Sequence, residues 1–328
     1  MTGIFTGFFI GLVVISLVSN ARRNGTILLP GSSRNFEQWL NLENLRILAK
    51  PSSSSVPIAQ YLYDRVQISC VVLSSKQRQA RAVIGTWGRH CNSLSFVADF
   101  EDKYVPVDLK ASLQDPHILC LTLHKFAEKR FVADKNQWLL LADDMTFAVV
   151  ENLRYLVAPL NTSENYYLGH AVTRRTLRGS ELIVNVLSGG IVLSQGAVLA
   201  LLLALSPDCN ERKEEEHFDV TIAQLLMGTD ATLLDTRDSS GSTRFLARPV
   251  EKLLIEKSVS PYDKFVEESI FAPKLGKRCC SANAITFHGV DALDMHFFEY
   301  LVNRVQIGKS SNSSPPLRSE DIPPVILE

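Results

Sequence analysis

Trp138-Leu-Leu-Leu-Ala142-Asp143-Asp144-Met145-Thr146-Phe147-Ala148-Val149-Val150-Glu151-Asn152-Leu153-Arg154-Tyr155 is the stretch from which the fold is read. Trp138 to Ala142 is a short apolar run, the length of a buried strand. Two carboxylates follow at its carboxyl end. Phe147, Val150, Leu153 and Arg154 then recur at helical spacing. Open α/β sheets bind ligands just beyond the carboxyl ends of their strands. Paired carboxylates there can hold a divalent cation against a diphosphate, because hard cations take oxygen ligands. Aspartate is equally at home capping the start of a helix. Spacing alone does not choose between these roles.

Reading outward, Val66 to Leu73 is rich in β-branched residues and predicts a strand. Ala80, Val83, Ile84 and Trp87 fall on one helical face, ending at Arg89-His90-Cys91. Ser93 to Phe100 and Tyr104 to Leu109 read as strands, and Ile118 to Phe131 as a helix. Strands alternating with helices predict a mostly parallel α/β sheet. Downstream, Arg174, Arg175 and Arg178 form a basic patch whose simplest reading is a solvated hairpin tip. Ser188-Gly189-Gly190-Ile-Val-Leu-Ser194 is a glycine pair entering a strand, fit for a close backbone approach to a ligand or for a bulge. Ala197 to Leu205 is a very apolar helix, too short to span a bilayer. Asp219 heads another apolar helix, Val220 to Met227, and Asp235-Thr-Arg237-Asp238 opens a loop.

The chain has 328 residues and a net charge of -1, enough for a large core and without the basic footprint of a nucleic-acid binder. Residues 1–20 begin with a run free of charged side chains and predict a signal-anchor, with a cleaved signal near Ser19 to Ala21 as the alternative. Arg22 and Arg23 follow the apolar run, against the charge order of a type II anchor. Residues 21–60 read as a stem, 61–307 as one α/β domain, and 308–328 as a polar, Pro-rich tail. Asn24-Gly-Thr26, Asn161-Thr-Ser163 and Asn312-Ser-Ser314 are glycosylation sequons, in keeping with a lumenal domain. The six cysteines, Cys70, Cys91, Cys120, Cys209, Cys279 and Cys280, are an even count.

Taken together, five separated blocks resemble the core 1 β1,3-galactosyltransferase family of glycosyltransferase family 31, including its catalytically silent Cosmc-type chaperone. The blocks are Cys70 with Gly85-Thr86-Trp87 and Cys91; Ala142-Asp143-Asp144 with Glu151-Asn152-Leu153-Arg154; Ser188-Gly189-Gly190 with Val192-Leu193-Ser194; Asp219 with Asp235-Thr-Arg237-Asp238; and Cys279-Cys280-Ser281 with Thr286-Phe287-His288 and Glu299-Tyr300-Leu301-Val302. The resemblance implies a GT-A-like, Rossmann-type mixed sheet. It also implies a single-pass type II protein of the endoplasmic reticulum or Golgi membrane, with its domain and its disulfides in the lumen. Adjacent Cys279 and Cys280 are expected to bond different partners.

Enzymes of this family use manganese and UDP-galactose through three aspartates, and the metal offsets diphosphate charge as a Lewis acid. By position, Asp143 and Asp144 match the first two, while Met145 takes the third, the expected metal ligand. A neutral thioether is a poor manganese ligand. His288 matches a second metal ligand, Asp219 the base, and Gly189 and Gly190 the nucleotide-sugar contact. Phe218 stands where the enzymes carry Glu, and the acceptor segment is reduced to Pro261-Tyr262 and Phe265, without tryptophan. Tyr167-Leu168-Gly169-His170, Thr146-Phe147-Ala148 and Gly189 to Ser194 are more like the chaperone. The resemblance thus implies a chaperone without cofactor for a core 1 β1,3-galactosyltransferase client. The alternative is an active transferase on GalNAc-bearing glycoproteins with manganese and UDP-galactose. A dimer is compatible with both. Truncating Asp143, Asp144 and Asp219 to alanine is expected to leave the fold standing, since it relieves carboxylate repulsion.

Overall fold

A computed structural model describes residues 26–28, 58–133, 137–175, 179–209, 217–255 and 263–305. The expected signal-anchor, most of the stem, the tail, the sequons at Asn24 and Asn312, and Pro261-Tyr262 lie outside the described residues. Among the described residues, no helix is long and apolar enough to cross a membrane.

The strands are β1 (Thr26–Leu28), β2 (Gln67–Ser74), β3 (Ser93–Ala98), β4 (Val107–Lys110), β5 (Gln137–Asp143), β6 (Thr146–Ala148), β7 (Tyr166–Leu168), β8 (Ala171–Arg175), β9 (Glu181–Asn185), β10 (Ile191–Ser194), β11 (Thr232–Leu234), β12 (Phe245–Leu246) and β13 (Thr286–His288). The helices are α1 (Ile58–Arg65), α2 (Gln77–Gly85), α3 (Ile118–Ala133), α4 (Val150–Val157), α5 (Gln195–Ala204), α6 (Phe218–Met227), α7 (Val250–Leu254), α8 (Lys264–Glu268) and α9 (Ala292–Asn303).

The main sheet is mixed, in the order β1-β11-β7-β10-β5-β2-β3-β4. β5 runs parallel to β2, pairing Val72 with Ala142 and Leu73 with Asp143. β10 runs antiparallel to β5, pairing Ile191 with Leu141 and Ser194 with Trp138. β1 joins the sheet edge, so part of the segment read as stem is a strand. Successive strand side chains point to opposite faces. Trp138, Leu140 and Ala142 therefore enter one buried layer with Trp87, Val150 and Leu153. Leu139 and Leu141 enter the other with Leu119, Val198 and Ile222. A run apolar on both faces is what a doubly covered strand requires. The helical period read from Phe147 begins later: Phe147 lies in β6, and α4 starts at Val150.

A small sheet, β12-β13-β6, closes over the carboxyl end of β5. Antiparallel β13 and β6 pair His288 with Thr146 and Phe287 with Phe147. This pairing brings a residue 145 positions downstream onto the Asp143 turn.

All six cysteines are oxidised, as Cys70–Cys91, Cys120–Cys209 and Cys279–Cys280. The last pair corrects the expectation that adjacent cysteines bond different partners. Cys70–Cys91 fixes the end of the turn after α2 to β2, and Cys120–Cys209 ties α3 to the segment after α5, leaving Cys279 and Cys280 only each other. Thr243 N donates to Cys279 O (3.0 Å) and Ser281 N to Thr243 O (2.9 Å), so the neighbouring backbone holds the pair.

Candidate functional site

The corner beyond β5 gathers part of the expected site. Asp143 Oδ1 accepts from Thr146 Oγ1 (2.6 Å) and Met145 N (3.1 Å), which folds the turn between β5 and β6. Its Oδ2 lies 3.4 Å from His288 Nδ1. That nitrogen is buried and makes no hydrogen bond, the separation being an ion-pair distance with poor hydrogen-bond geometry.

Asp144 points elsewhere. It is buried, and its Oδ2 accepts from Ser74 Oγ (2.8 Å), Ser75 N (2.8 Å) and Lys76 N (3.0 Å). These donors stand at the entry to α2, whose own first residue offers no side-chain cap. A carboxylate is favourable there, since backbone N–H groups and the helix dipole both point at it. Asp144 thus does cap a helix, but the one that follows β2 across the sheet. The helix after its own strand starts at Val149 without a side-chain cap.

Met145 turns its sulfur to Gln79 Nε2 at 3.1 Å. Gln79 is a buried polar residue on the apolar face of α2, beside Ala80, Ala82 and Val83. A glutamine in that otherwise apolar face is the sequence signal for this contact. Thr146, in the Thr146-Phe147-Ala148 block, is fully buried.

Gly189 and Gly190 approach protein backbone and side chains closely. Thr286 Oγ1 donates to Gly189 O at 2.5 Å, drawing β13 onto the turn. A Cβ on Gly189 would meet His170 Cβ at 3.0 Å, and Gly190 has φ +75°. Asp219, half-buried, accepts from Leu187 N at 3.3 Å and so braces the same turn from α6. Asp235 is buried and forms a fork with Arg237 (Nε to Oδ1, 3.0 Å; Nη2 to Oδ2, 2.7 Å). The Glu151-Asn152-Leu153-Arg154 block also serves the scaffold. Arg154 is buried, donates to Val66 O (3.2 Å), His90 O (2.8 Å) and Asn92 Oδ1 (2.7 Å), and lies over Tyr63. Asn152 Nδ2 donates to Ala284 O (2.7 Å).

The structure therefore brings Asp143 and His288 together, holds Gly189, Gly190 and Asp219 in one neighbouring turn, and separates Asp144 from all of them. The donors that meet at the corner are one carboxylate oxygen and one imidazole nitrogen, while the Met145 thioether is turned to Gln79. That set does not fit a hard divalent cation, which prefers several oxygen ligands. Cys120, His124 and Cys209 also lie within 4.8 Å of one another. Cys120 and Cys209 are joined as a disulfide there, so neither offers a thiolate.

Residues 72–232 match the Fringe-like family, which spans the Asp143 corner, the glycine turn and Asp219. The chain is 25% identical over 309 residues to glycoprotein-N-acetylgalactosamine 3-beta-galactosyltransferase 1 of Xenopus laevis, an alignment covering 89% of this chain and 83% of that protein. The matched region contains β5, the Asp143 turn and α4, with His288 beyond it, and the two similarities support assignment to glycosyltransferase family 31.

Proposed function

We propose that this chain is a non-catalytic, chaperone-type member of its family that assists the folding of a core 1 β1,3-galactosyltransferase in the secretory-pathway lumen. The observation that carries this reading is Met145. Its thioether occupies the position of the third aspartate and faces Gln79, while Asp144 is consumed at the start of α2. A corner with one committed carboxylate has little charge to set against a diphosphate-bound metal. The test is calorimetric titration of UDP into the folded protein with and without manganese. Weak or absent affinity in both is expected, and micromolar, manganese-dependent affinity would overturn the reading.

One observation favours a second reading, an active UDP-galactose:GalNAc-Ser/Thr β1,3-galactosyltransferase. His288 Nδ1 is buried without a hydrogen bond, 3.4 Å from a carboxylate oxygen of Asp143. The relative in Xenopus laevis is named as such an enzyme. In that reading Asp143 and His288 would hold the metal, and Asp219 would take the acceptor proton.

A further inference from the structure

Asn161 opens the loop between α4 and β7, within Asn161-Thr162-Ser163. The loop is firmly seated. Gly196 N donates to Thr162 O at 2.9 Å, Ser194 Oγ donates to Glu164 O at 2.5 Å, and Tyr166 N donates to Ser194 Oγ at 2.9 Å. A Cβ on Gly196 would fall 2.5 Å from Ser163 O, so the chain can lie this close only over a glycine. Thr162 is buried, whereas Asn161 and Ser163 on either side are exposed. Asn161 Oδ1 accepts from Ser163 N at 3.1 Å, which leaves the amide nitrogen out of that bond.

The loop's place in the sheet matters as much as its exposure. It is fastened to Ser194, which pairs with Trp138 at the start of β5. Asp143 ends that strand five residues later, roughly 16 Å away at the rise of a β-strand. A bulky group on Asn161 thus projects from the end of the sheet opposite the Asp143–His288 corner. It displaces no packed side chain and covers no part of that corner.

We propose that Asn161 carries an asparagine-linked glycan. The step is transfer from a lipid-pyrophosphate-linked oligosaccharide. The Asn161 amide nitrogen forms a bond to the anomeric carbon, the bond from that carbon to the pyrophosphate oxygen breaks, and the lipid pyrophosphate leaves with the electron pair. The amide proton passes to solvent. The proposal rests on the lumenal placement in the reading above.

The test expresses the full chain in cultured animal cells and makes two independent measurements. Protease protection of intact microsomes together with thiol labelling reports the compartment. Mass spectrometry after amidase release of glycans reports Asn161, which is converted to aspartate wherever it was glycosylated. The expected result is protected, fully oxidised protein with Asn161 converted, and loss of the conversion in Ser163→Ala with folded protein retained. Ser163→Thr should retain it. Protected, oxidised protein with Asn161 unmodified overturns the glycan and leaves the lumenal reading intact. Protease-accessible protein with free thiols overturns both.

Discussion

Replacing Asp144 with alanine removes the acceptor of three hydrogen bonds at once and leaves Ser75 N and Lys76 N facing a void. Buried donors left without a partner cost about 1–3 kcal/mol each, so Asp144→Ala should lower stability by about 2–4 kcal/mol in chemical denaturation. Asp143→Asn, which retains an oxygen for Thr146 and Met145 N, should cost far less. That cost weighs against the expectation that alanine at these positions leaves the fold standing. Carboxylate repulsion is the smaller effect where each carboxylate is already tied down. Met145→Asp makes the opposite test, because it supplies the missing oxygen ligand beside Asp143 and His288. The variant should be less stable than the parent without metal, through like-charge repulsion, and should be stabilised by manganese. Binding at one hundred times Kd raises stability by about 2.7 kcal/mol. A melting temperature of Met145→Asp indifferent to manganese would show that Asp143 and His288 cannot complete a site. The two roles of the aspartates were legible in the sequence, but their assignment was not. Asp144 meets residues some 70 positions upstream because β2 and β5 lie in parallel register, and register is a property of the assembled sheet.

The elements read most reliably were those whose apolar run or period is decided locally. β2, β5, α3 and α5 stand where the sequence puts them, whereas α2 ends at Gly85 and Trp87 to His90 form a separate 3-10 turn rather than its last turn. The three-residue strands β6 and β13 were invisible, since each is too short to show alternation and is defined by pairing with strands distant in sequence. α9 buries Ala292 and Met295 in the core and is also tied by charge, which periodicity does not register. His90 Nδ1 lies 2.6 Å from Glu151 on α4 and its Nε2 3.4 Å from Glu299 on α9, with Arg89 at 2.6 Å from the same Glu299 oxygen. The hydrogen bond to Glu151, aided by the one to Glu299, raises His90 to about 9. Burial opposes ionisation of Glu299, but bonds from His90 and Arg89 outweigh it and hold the carboxyl at about 2. A raised base stabilises fully below its ordinary pKa and loses that contribution as pH passes its folded value. A lowered acid stabilises above its ordinary pKa and loses it as pH falls through its folded value. The clamp is therefore complete between about pH 4.5 and 6.5 and dissolves as pH rises through about 9. His170 pulls the other way, because burial lowers it to about 4 and its neutral form is lost on acidification. Comparing wild type with His90→Gln cancels that contribution. The stability difference between them, followed by denaturation across pH, should be largest near pH 5–6 and vanish above about pH 9. A difference independent of pH would leave His90 a packing role only.

At the scale of the molecule, two of the three disulfides tie distant parts of the chain together. Cys120–Cys209 spans 89 residues, and closing a loop of that size removes on the order of 4–5 kcal/mol of denatured-state entropy in the chain-entropy account. The sequence supplied the even count of cysteines; it withheld the pairing, because adjacent residues are usually too constrained to bond and only the fold removes the other candidates. Deciding between chaperone and transferase then needs a variant that silences the corner without unfolding it. Asp143→Asn with His288→Gln meets this need, since both changes keep shape and hydrogen-bonding capacity while removing the carboxylate and the imidazole. Cells lacking the protein should contain less soluble galactosyltransferase client and expose unextended GalNAc. Either function predicts that glycan defect, so the defect alone separates nothing. A chaperone of the kind proposed should be replaced fully by the double variant, in both client activity and glycan extension, provided the variant accumulates to the wild-type level. A transferase that depends on a metal held by Asp143 and His288 should leave the glycan unextended while the client amount stays unchanged. Recovery of the glycan without recovery of the client would exclude the chaperone reading as well, because it would place the chemistry in this chain and in residues other than the pair at the end of β5.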